Sequence, residues 1–295
     1  MHIAITYDKP IPTSRYGGTE RIAWWLGRHL NRLGHRVTYV VPPGSTCDFA
    51  QVVFHDRDRP IESQIPDDVD LVHDFGAVTR PVDHPMLTTF HGNGHPGLRL
   101  PRNTVFLCRN HAERHGGSVF VYNGIDPDDY GPVDWSASRD HLLFLAMAAW
   151  KVKNVRGAIR IARRARRRLA VVGGHRVNVR MGVRVTLDPR VRFHGVIGGD
   201  HKRHIINRSS ALLFPVRWHE PFGIALVEAL YFGCPVYGTT YGSLPEVVSP
   251  EVGFLADSES ILADELRDIG RFDRRRCHQY AVDNFSAALM TQRYL

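Results

Sequence analysis

The sequence predicts an α/β protein of two doubly wound domains, each a mostly parallel sheet covered by helices, with the functional site expected in a cleft between them. Three observations predict it. Short, near-continuous apolar runs bounded by turn residues recur along the chain, the pattern of strands buried on both faces of a parallel sheet. Stretches with apolar residues at helical spacing separate those runs, and this alternation builds βαβ units. The length of 295 residues suits two domains at roughly 100–200 residues each.

In the first half, strands are expected at 2–7, 36–41, 51–55, 70–74, 87–91, 104–108 and 119–123. Between the first two, Ile22, Trp25, Leu26, Leu30 and Leu33 fall at helical spacing, and Gly34 stands where a helix C-cap belongs. The first domain is placed at 1–125. Residues 124–140 are rich in Pro, Gly and Asp without a clear period, and the connection is placed at 126–140. The pattern restarts in a second domain at 141–273. Strands are expected there at 141–147, 169–173, 191–195, 211–215, 234–239 and 253–256, with helices near 154–167, 200–209, 222–232 and 258–269. Residues 274–295 read as two short closing helices.

Composition narrows the function classes. A net charge of +8 and a pI near 9.6 favour anionic partners: nucleic acid, an acidic membrane surface or a phosphorylated small molecule. No RNA-binding signature or aromatic-interleaved basic patch is present, so nucleic acid is not expected. No apolar run reaches the roughly 20 residues of a membrane span. The stretch MHIAITYDKP lacks the features of a signal peptide and reads as a buried strand. Cys47, Cys108, Cys234 and Cys277 are scattered, without metal-ligand spacing. A reducing cytoplasm is the expected compartment.

The most informative stretch is FPVRWHEPFGIALVEALYFGCPVYGTTYGSLPEVV, 214–248. A strand is expected to end at Pro215 and Glu220-Pro221 to open a helix, with Pro221 at its first position. Phe222 and Gly223 would then present backbone N–H groups to an anion or a sugar hydroxyl. The helix is apolar nearly all round yet contains Glu228. A buried carboxylate needs hydrogen-bonding partners; a ribose diol would serve, and so would a nearby arginine.

Glu220 and Glu228, with seven residues between them around EPFG, resemble the E-x7-E motif of retaining GT-B glycosyltransferases of family 4. The segment GCPVYGTTYGSLPEVV that follows resembles that family's continuation. The resemblance implies the GT-B fold of two Rossmann-like domains and a nucleoside-diphosphate sugar as donor. It implies that Glu228 holds the nucleotide ribose, that Glu220 approaches the donor sugar, and that the backbone of Phe222, Gly223 and Ile224 holds sugar hydroxyls and phosphate oxygens.

Three weaker motifs join it. TSRYGGTER, 13–21, resembles the family's GG-x-E-R loop, which faces the donor diphosphate through Gly17 and Gly18; Glu20 reads as a complement to the helix dipole. TTFHGNGH, 88–95, resembles the strand-end His-Gly beside the donor sugar, which singles out His91 among 17 histidines; His73, His84, His95 and His194 read as structural. Lys153-Asn154 occupies the place of a Lys-Gly that meets the donor phosphates. The family has an Arg five residues before that Lys, where this chain has Ala148; Lys151 and Arg156 are the nearest candidates to supply the charge.

The resemblance thus implies a metal-independent, cofactor-free hexosyltransferase. It would act with retention, by a front-face route, from a donor such as UDP-glucose to a hydroxyl acceptor, with His91, Glu220 and Lys153 at the reacting centre. Two Asp-x-Asp triplets, Asp56/Asp58 and Asp68/Asp70, read as turn chemistry. Arginines 160, 163, 164, 166, 167 and 168 crowd one expected helix, either as a solvated face or as a peripheral contact with anionic lipid. The competing readings are a sugar-nucleotide epimerase or phosphorylase on the same fold, or an inactive sugar-nucleotide-binding scaffold, for which Ala148 is the argument. The closing helix, with Phe285, Leu289 and Tyr294 as anchors, is expected to cross back to the first domain.

Overall fold

The structure, a computed structural model, describes residues 1–13, 17–95, 97–179 and 181–295. The chain divides into two compact units. One comprises Met1–Asp126 with Ser286–Leu295, the other Pro127–Phe285.

The first unit is built on β1 (His2–Thr6), β2 (Arg36–Val41), β3 (Gln51–Phe54), β4 (Leu71–Asp74), β5 (Met86–Thr89) and β6 (Thr104–Val105). They form one sheet in the order β3-β2-β1-β4-β5-β6, parallel throughout. The central β1 is buried along its length, whereas the edge strand β3 is not. The helix α1 (Gly18–Arg32) lays Ile22, Trp25, Leu26 and Leu30 on the core, and the Tyr39 hydroxyl donates to the Trp24 carbonyl at 3.0 Å. Gly34 follows at φ +85°, a left-handed position that glycine adopts without a Cβ penalty. The opposite face of the sheet buries Ala4, Val40, Val69 and Val72 with Ile61 and Ile65. The short α2 (Arg109–Arg114) follows β6. The strand expected at 119–123 is reduced to a single bridge between Phe106 and Phe120. Its would-be neighbour β6 pairs over only two residues, and Val119 is 58% exposed, so burial does not repay an ordered ladder there.

The second unit contains β7 (His141–Leu145), α3 (Val155–Arg164), β8 (Arg168–Val172), β9 (Val177–Asn178), β10 (Arg184–Val185), β11 (Val191–Phe193), α4 (Gly199–Asn207) and β12 (Ser209–Phe214). It continues with α5 (Ile224–Tyr231), β13 (Val236–Gly238), α6 (Leu244–Val247), β14 (Gly253–Leu255), α7 (Glu259–Glu265) and α8 (Arg274–Asn284). Its main sheet runs β11-β8-β7-β12-β13-β14, again parallel. Numbered within each unit, both sheets follow the order 3-2-1-4-5-6, the doubly wound arrangement whose switch point lies between the first and fourth strands. Strands β9 and β10 form a separate antiparallel hairpin, which the sequence reading did not anticipate.

Residues 127–140 are not a free-standing connection but part of the second unit. Tyr130 is 6% exposed, and the Gly131 carbonyl accepts the Tyr231 hydroxyl at 3.0 Å. Phe285 likewise packs in the second unit, against Phe222 and Tyr280. The chain then enters the first unit as α9 (Ala287–Tyr294). There the Gly124 N–H meets the Met290 sulfur at 3.2 Å, and the Tyr294 hydroxyl pairs with that of Thr89 at 3.0 Å. Met290 and Tyr294 anchor this helix, while Leu289 is half-buried and Phe285 lies outside it.

Candidate functional site

The switch point of the second unit falls between β7 and β12, which are neighbours in the sheet. The segments leaving their carboxyl ends therefore run side by side. After β7 the chain turns through Lys151–Lys153 into Asn154, which is left-handed at φ 56° and caps α3 by accepting the Gly157 N–H at 3.0 Å. The Asn154 amide donates to the Pro215 carbonyl at 2.9 Å, and the Arg217 N–H donates to the Val152 carbonyl at 2.7 Å. These bonds tie the two segments together.

Lys153 and Glu220, expected at the reacting centre, meet here. The ammonium of Lys153 donates to Oε2 of Glu220 at 2.5 Å, and each residue is 7% exposed. Nε1 of Trp218 donates to the same oxygen at 2.8 Å, and the indole ring lies under the Lys153 ammonium, 4.6 Å from its centroid. A buried ion pair keeps its geometry when further hydrogen bonds and a cation–π contact hold each member. The backbone is closed from the β13 side. Ser243 N–H donates to the Glu220 carbonyl at 2.9 Å and its hydroxyl to the Phe222 carbonyl at 2.7 Å. Gly242 sits at φ +67°, where a Cβ would lie 2.3 Å from the Glu220 nitrogen; only glycine fits so close an approach.

The helix expected to open at Pro221 begins instead at Ile224. Gly223 precedes it at φ 78°, and a left-handed residue cannot continue a right-handed helix back to Pro221. Phe222 is consequently a core residue, 1% exposed. Glu228 is 2% exposed inside α5. Its Oε1 accepts Lys202 Nζ at 2.6 Å and the Tyr130 hydroxyl at 2.5 Å. The cation beside it is thus a lysine from α4, which is itself 7% exposed, and not the arginine that sequence reasoning offered.

Ala148 is 5% exposed, and its N–H donates to the Gly173 carbonyl at 2.8 Å. A Cβ on Gly174 would lie 2.5 Å from that of Ala148. The β8 turn therefore presses on this position. Positive charge gathers next to it instead: a cavity of about 460 Å³ is lined by Ala148 and by Lys151, Arg156, Arg160, Arg184 and Arg217, of which Arg160 and Arg217 pair with Glu259.

In the first unit, Gly17 precedes α1 beyond the carboxyl end of β1, and Gly18 is the first residue of the helix. Ser14–Tyr16 of the same motif lie outside the described residues. Glu20 stands in the first turn, where the helix dipole favours a carboxylate. His91 follows β5 at the same edge of the sheet. Its ring stacks on Phe75 with centroids 5.3 Å apart. Its Nε2 is shielded from solvent and has no hydrogen-bond partner among the described residues. Burial, and secondarily the charge of His111, push its pKa down to about 3, so the ring is neutral near pH 7. His73 donates to or accepts from the Thr89 hydroxyl at 2.8 Å and is a core residue, as its reading as structural implies. Asp56 accepts the Asp58 N–H at 2.9 Å, and Asp70 accepts the His2 N–H at 2.7 Å. Asp56 thus closes a local turn, as expected, whereas Asp70 and Asp68 tie to the distant β1 and β2, Asp68 by pairing with Arg36.

Sequence reasoning missed Trp218, Tyr130, Lys202, Gly242 and Ser243. Trp218 stands two residues before Glu220 and could have been noticed there. Tyr130 and Lys202 lie 98 and 26 residues from Glu228, and no local pattern connects them.

Residues 139–271 match the model of the family described as Glycosyl transferases group 1. The whole chain superposes on AviGT4, a glycosyltransferase involved in avilamycin A biosynthesis, with a TM-score of 0.83 at 23% identity, covering 99% of this chain and 95% of that one. Sucrose-phosphate synthase from Thermosynechococcus elongatus gives 0.77 at 15%, covering 99% and 97%. Anabaena HepE in complex with UDP-glucose gives 0.71 at 16%, covering 99% and 97%. An uncharacterized 41.2 kDa protein in the cps region of Klebsiella pneumoniae is 28% identical over 112 residues, which are 36% of this chain and 31% of that protein. The fold is GT-B, two Rossmann-like units in one chain. The second unit is that of the glycosyl transferases group 1.

Proposed function

We propose that this protein is a retaining glycosyltransferase that moves a hexosyl group from a nucleoside-diphosphate sugar to a hydroxyl acceptor, without a metal or cofactor. The observation that carries the reading is the buried Lys153–Glu220 pair at the switch point of the second unit, flanked by the cavity lined by Lys151 and four arginines. A fixed cation and a cation-lined cavity stabilise charge that develops on a departing diphosphate. In this reading Lys153 meets the diphosphate, Lys151 and Arg156 supply the charge that Ala148 lacks, and Glu220 lies at the sugar. The backbone of Phe222, Gly223 and Ile224 receives its hydroxyls and phosphate oxygens. Glu228 takes the ribose diol, held in place by Lys202 and Tyr130. Gly17, Gly18 and His91 are assigned to the donor from the first unit; Nε2 of a neutral His91, which no described residue bonds, is the atom offered to a sugar hydroxyl.

Transfer would follow a front-face route, with the leaving diphosphate taking the acceptor proton. UDP-glucose is the first donor to try, since the neighbouring HepE is described in complex with it. We further assign the protein to the cytoplasm, with peripheral contact to an anionic membrane through the exposed Arg163 and Arg164 of α3.

A thermal-shift screen against UDP-, GDP- and TDP-sugars tests the donor. A ligand at 100 times its Kd adds about 2.7 kcal/mol. No stabilisation by any of them overturns donor binding. Binding with neither transfer nor donor hydrolysis overturns the enzyme and leaves a scaffold.

A further inference from the structure

The hairpin β9–β10 is built inside out. From Val177 to Leu187 the residues alternate strictly. The odd positions Val177, Val179, Met181, Val183, Val185 and Leu187 are 56–85% exposed. Of the even positions, Arg184 and Thr186 are 7% and 6% exposed. The register Val185↔Val177 and Arg184↔Asn178 places the valines on one face and the polar residues on the other. The inward face is specifically held: Arg184 lies over the Phe193 ring at 4.8 Å and donates to the Thr186 hydroxyl at 2.8 Å and the His175 carbonyl at 2.7 Å. A one-residue slip would exchange the two faces, and these contacts fix the register against it. Six neighbouring large apolar side chains in water are unusual on a lone soluble surface.

The surroundings choose what covers them. From His141 to Leu187 the sequence contains 12 Lys and Arg and neither Asp nor Glu. Arg156 donates to the Val183 carbonyl at 2.5 Å, so α3 and the hairpin adjoin. Arg163 and Arg168 of this stretch keep side chains 64% and 71% exposed, although each stands near a carboxylate just outside it, Asp188 at 3.6 Å and Asp140 at 3.8 Å. A second copy of this chain would bring the same cationic rim against itself, which costs free energy. An anionic lipid surface offers apolar depth and opposite charge together.

We propose that the β9–β10 hairpin is a membrane-docking element that inserts Val179, Met181 and Val183 at its turn into the interface of an anionic bilayer, with the exposed Arg163 and Arg164 of α3 on the headgroups. The proposal names the apolar anchor that the arginine helix alone lacks. It does not depend on the glycosyl-transfer reading.

Co-sedimentation of the full chain with vesicles of equal phosphatidylglycerol and phosphatidylcholine tests it, beside vesicles of phosphatidylcholine alone. The decisive variant is Val179→Ser/Val183→Ser, which changes no charge and touches only exposed side chains; its melting temperature, equal to that of the wild type, confirms folding. Burying one valine contributes enough for about a tenfold change in an equilibrium. The variant should therefore bind the anionic vesicles at least tenfold more weakly, and the wild type should bind neutral vesicles poorly. Equal binding by the variant and the wild type overturns the proposal, because charge alone then accounts for attachment. So does a wild-type dimer in sedimentation velocity that the same substitutions dissolve, which would assign the face to a second copy.

Discussion

Replacing Lys202 by Met removes the ammonium 2.6 Å from a carboxylate that is 2% exposed. Stripping one member from a buried ion pair costs about 3–5 kcal/mol. The Tyr130 hydroxyl remains on Glu228 Oε1 at 2.5 Å, which places the expected cost at the lower end, about 3 kcal/mol. For a unit of this size 1 kcal/mol moves the Tm by roughly 2–4 °C, so Lys202→Met should melt about 6–12 °C lower. Glu228→Gln keeps an acceptor for Tyr130 but leaves the lysine facing a neutral amide, at a similar cost. If the two groups act on each other, the double variant should lose about 3 kcal/mol and not the ~6 kcal/mol of independent sites. Urea unfolding followed by circular dichroism measures all four corners of the cycle. A Lys202→Met loss below about 0.5 kcal/mol, or strict additivity, would refute the reasoning that Glu228 is tolerated in α5 because Lys202 neutralises it.

Other outcomes follow from the same geometry. Glu228→Ala should raise the Kd for UDP-glucose, measured by calorimetry, while Lys153→Ala should lower kcat by roughly 10²–10³-fold, the usual scale for a lost transition-state contact, with donor affinity changed less. Wild-type constants in both variants would defeat these assignments. Gly242→Ala forces a Cβ to 2.3 Å from the Glu220 nitrogen at φ +67°; it should cost at least about 2 kcal/mol and depress transfer, read by urea midpoint and initial rate. Burial holds the pKa of His73 at about 3, below its unfolded value, so the native ring stays neutral while the unfolded one gains a proton below about pH 6.5. Its contribution is complete above that pH and falls away toward pH 3. Between pH 7 and 5 the loss should be on the order of 1–2 kcal/mol, and His73→Phe should flatten the pH dependence of the urea midpoint by that amount.

Where sequence reasoning succeeded, the signal was local and periodic. The apolar runs at 2–7, 36–41 and 141–147 are short and bounded by turn residues, which favours buried strands, and the structure places β1, β2 and β7 within them. Lys153 and Glu220 were singled out by motifs that sit just after strands. Their contact was not legible, because they lie 67 residues apart in sequence and only the adjacency of β7 and β12 joins them. The start of α5 was misplaced because Pro221 is a good first helical residue, while a left-handed Gly223 has no mark in composition.

Periodicity and turn chemistry by themselves determined that this chain makes two parallel α/β units, and that Lys153, Glu220 and Glu228 stand near strand ends or within a buried helix. These properties depend on neighbours within a few residues, which a linear sequence displays. Only the tertiary structure decided that Trp218 and Lys153 share one oxygen of Glu220, that Lys202 and Tyr130 hold Glu228, and that the valines of the hairpin face outward. Each of those outcomes depends on which distant segments the sheet order brings together, and on whether the core takes the apolar or the polar face of an alternating strand; alternation alone is the same for both.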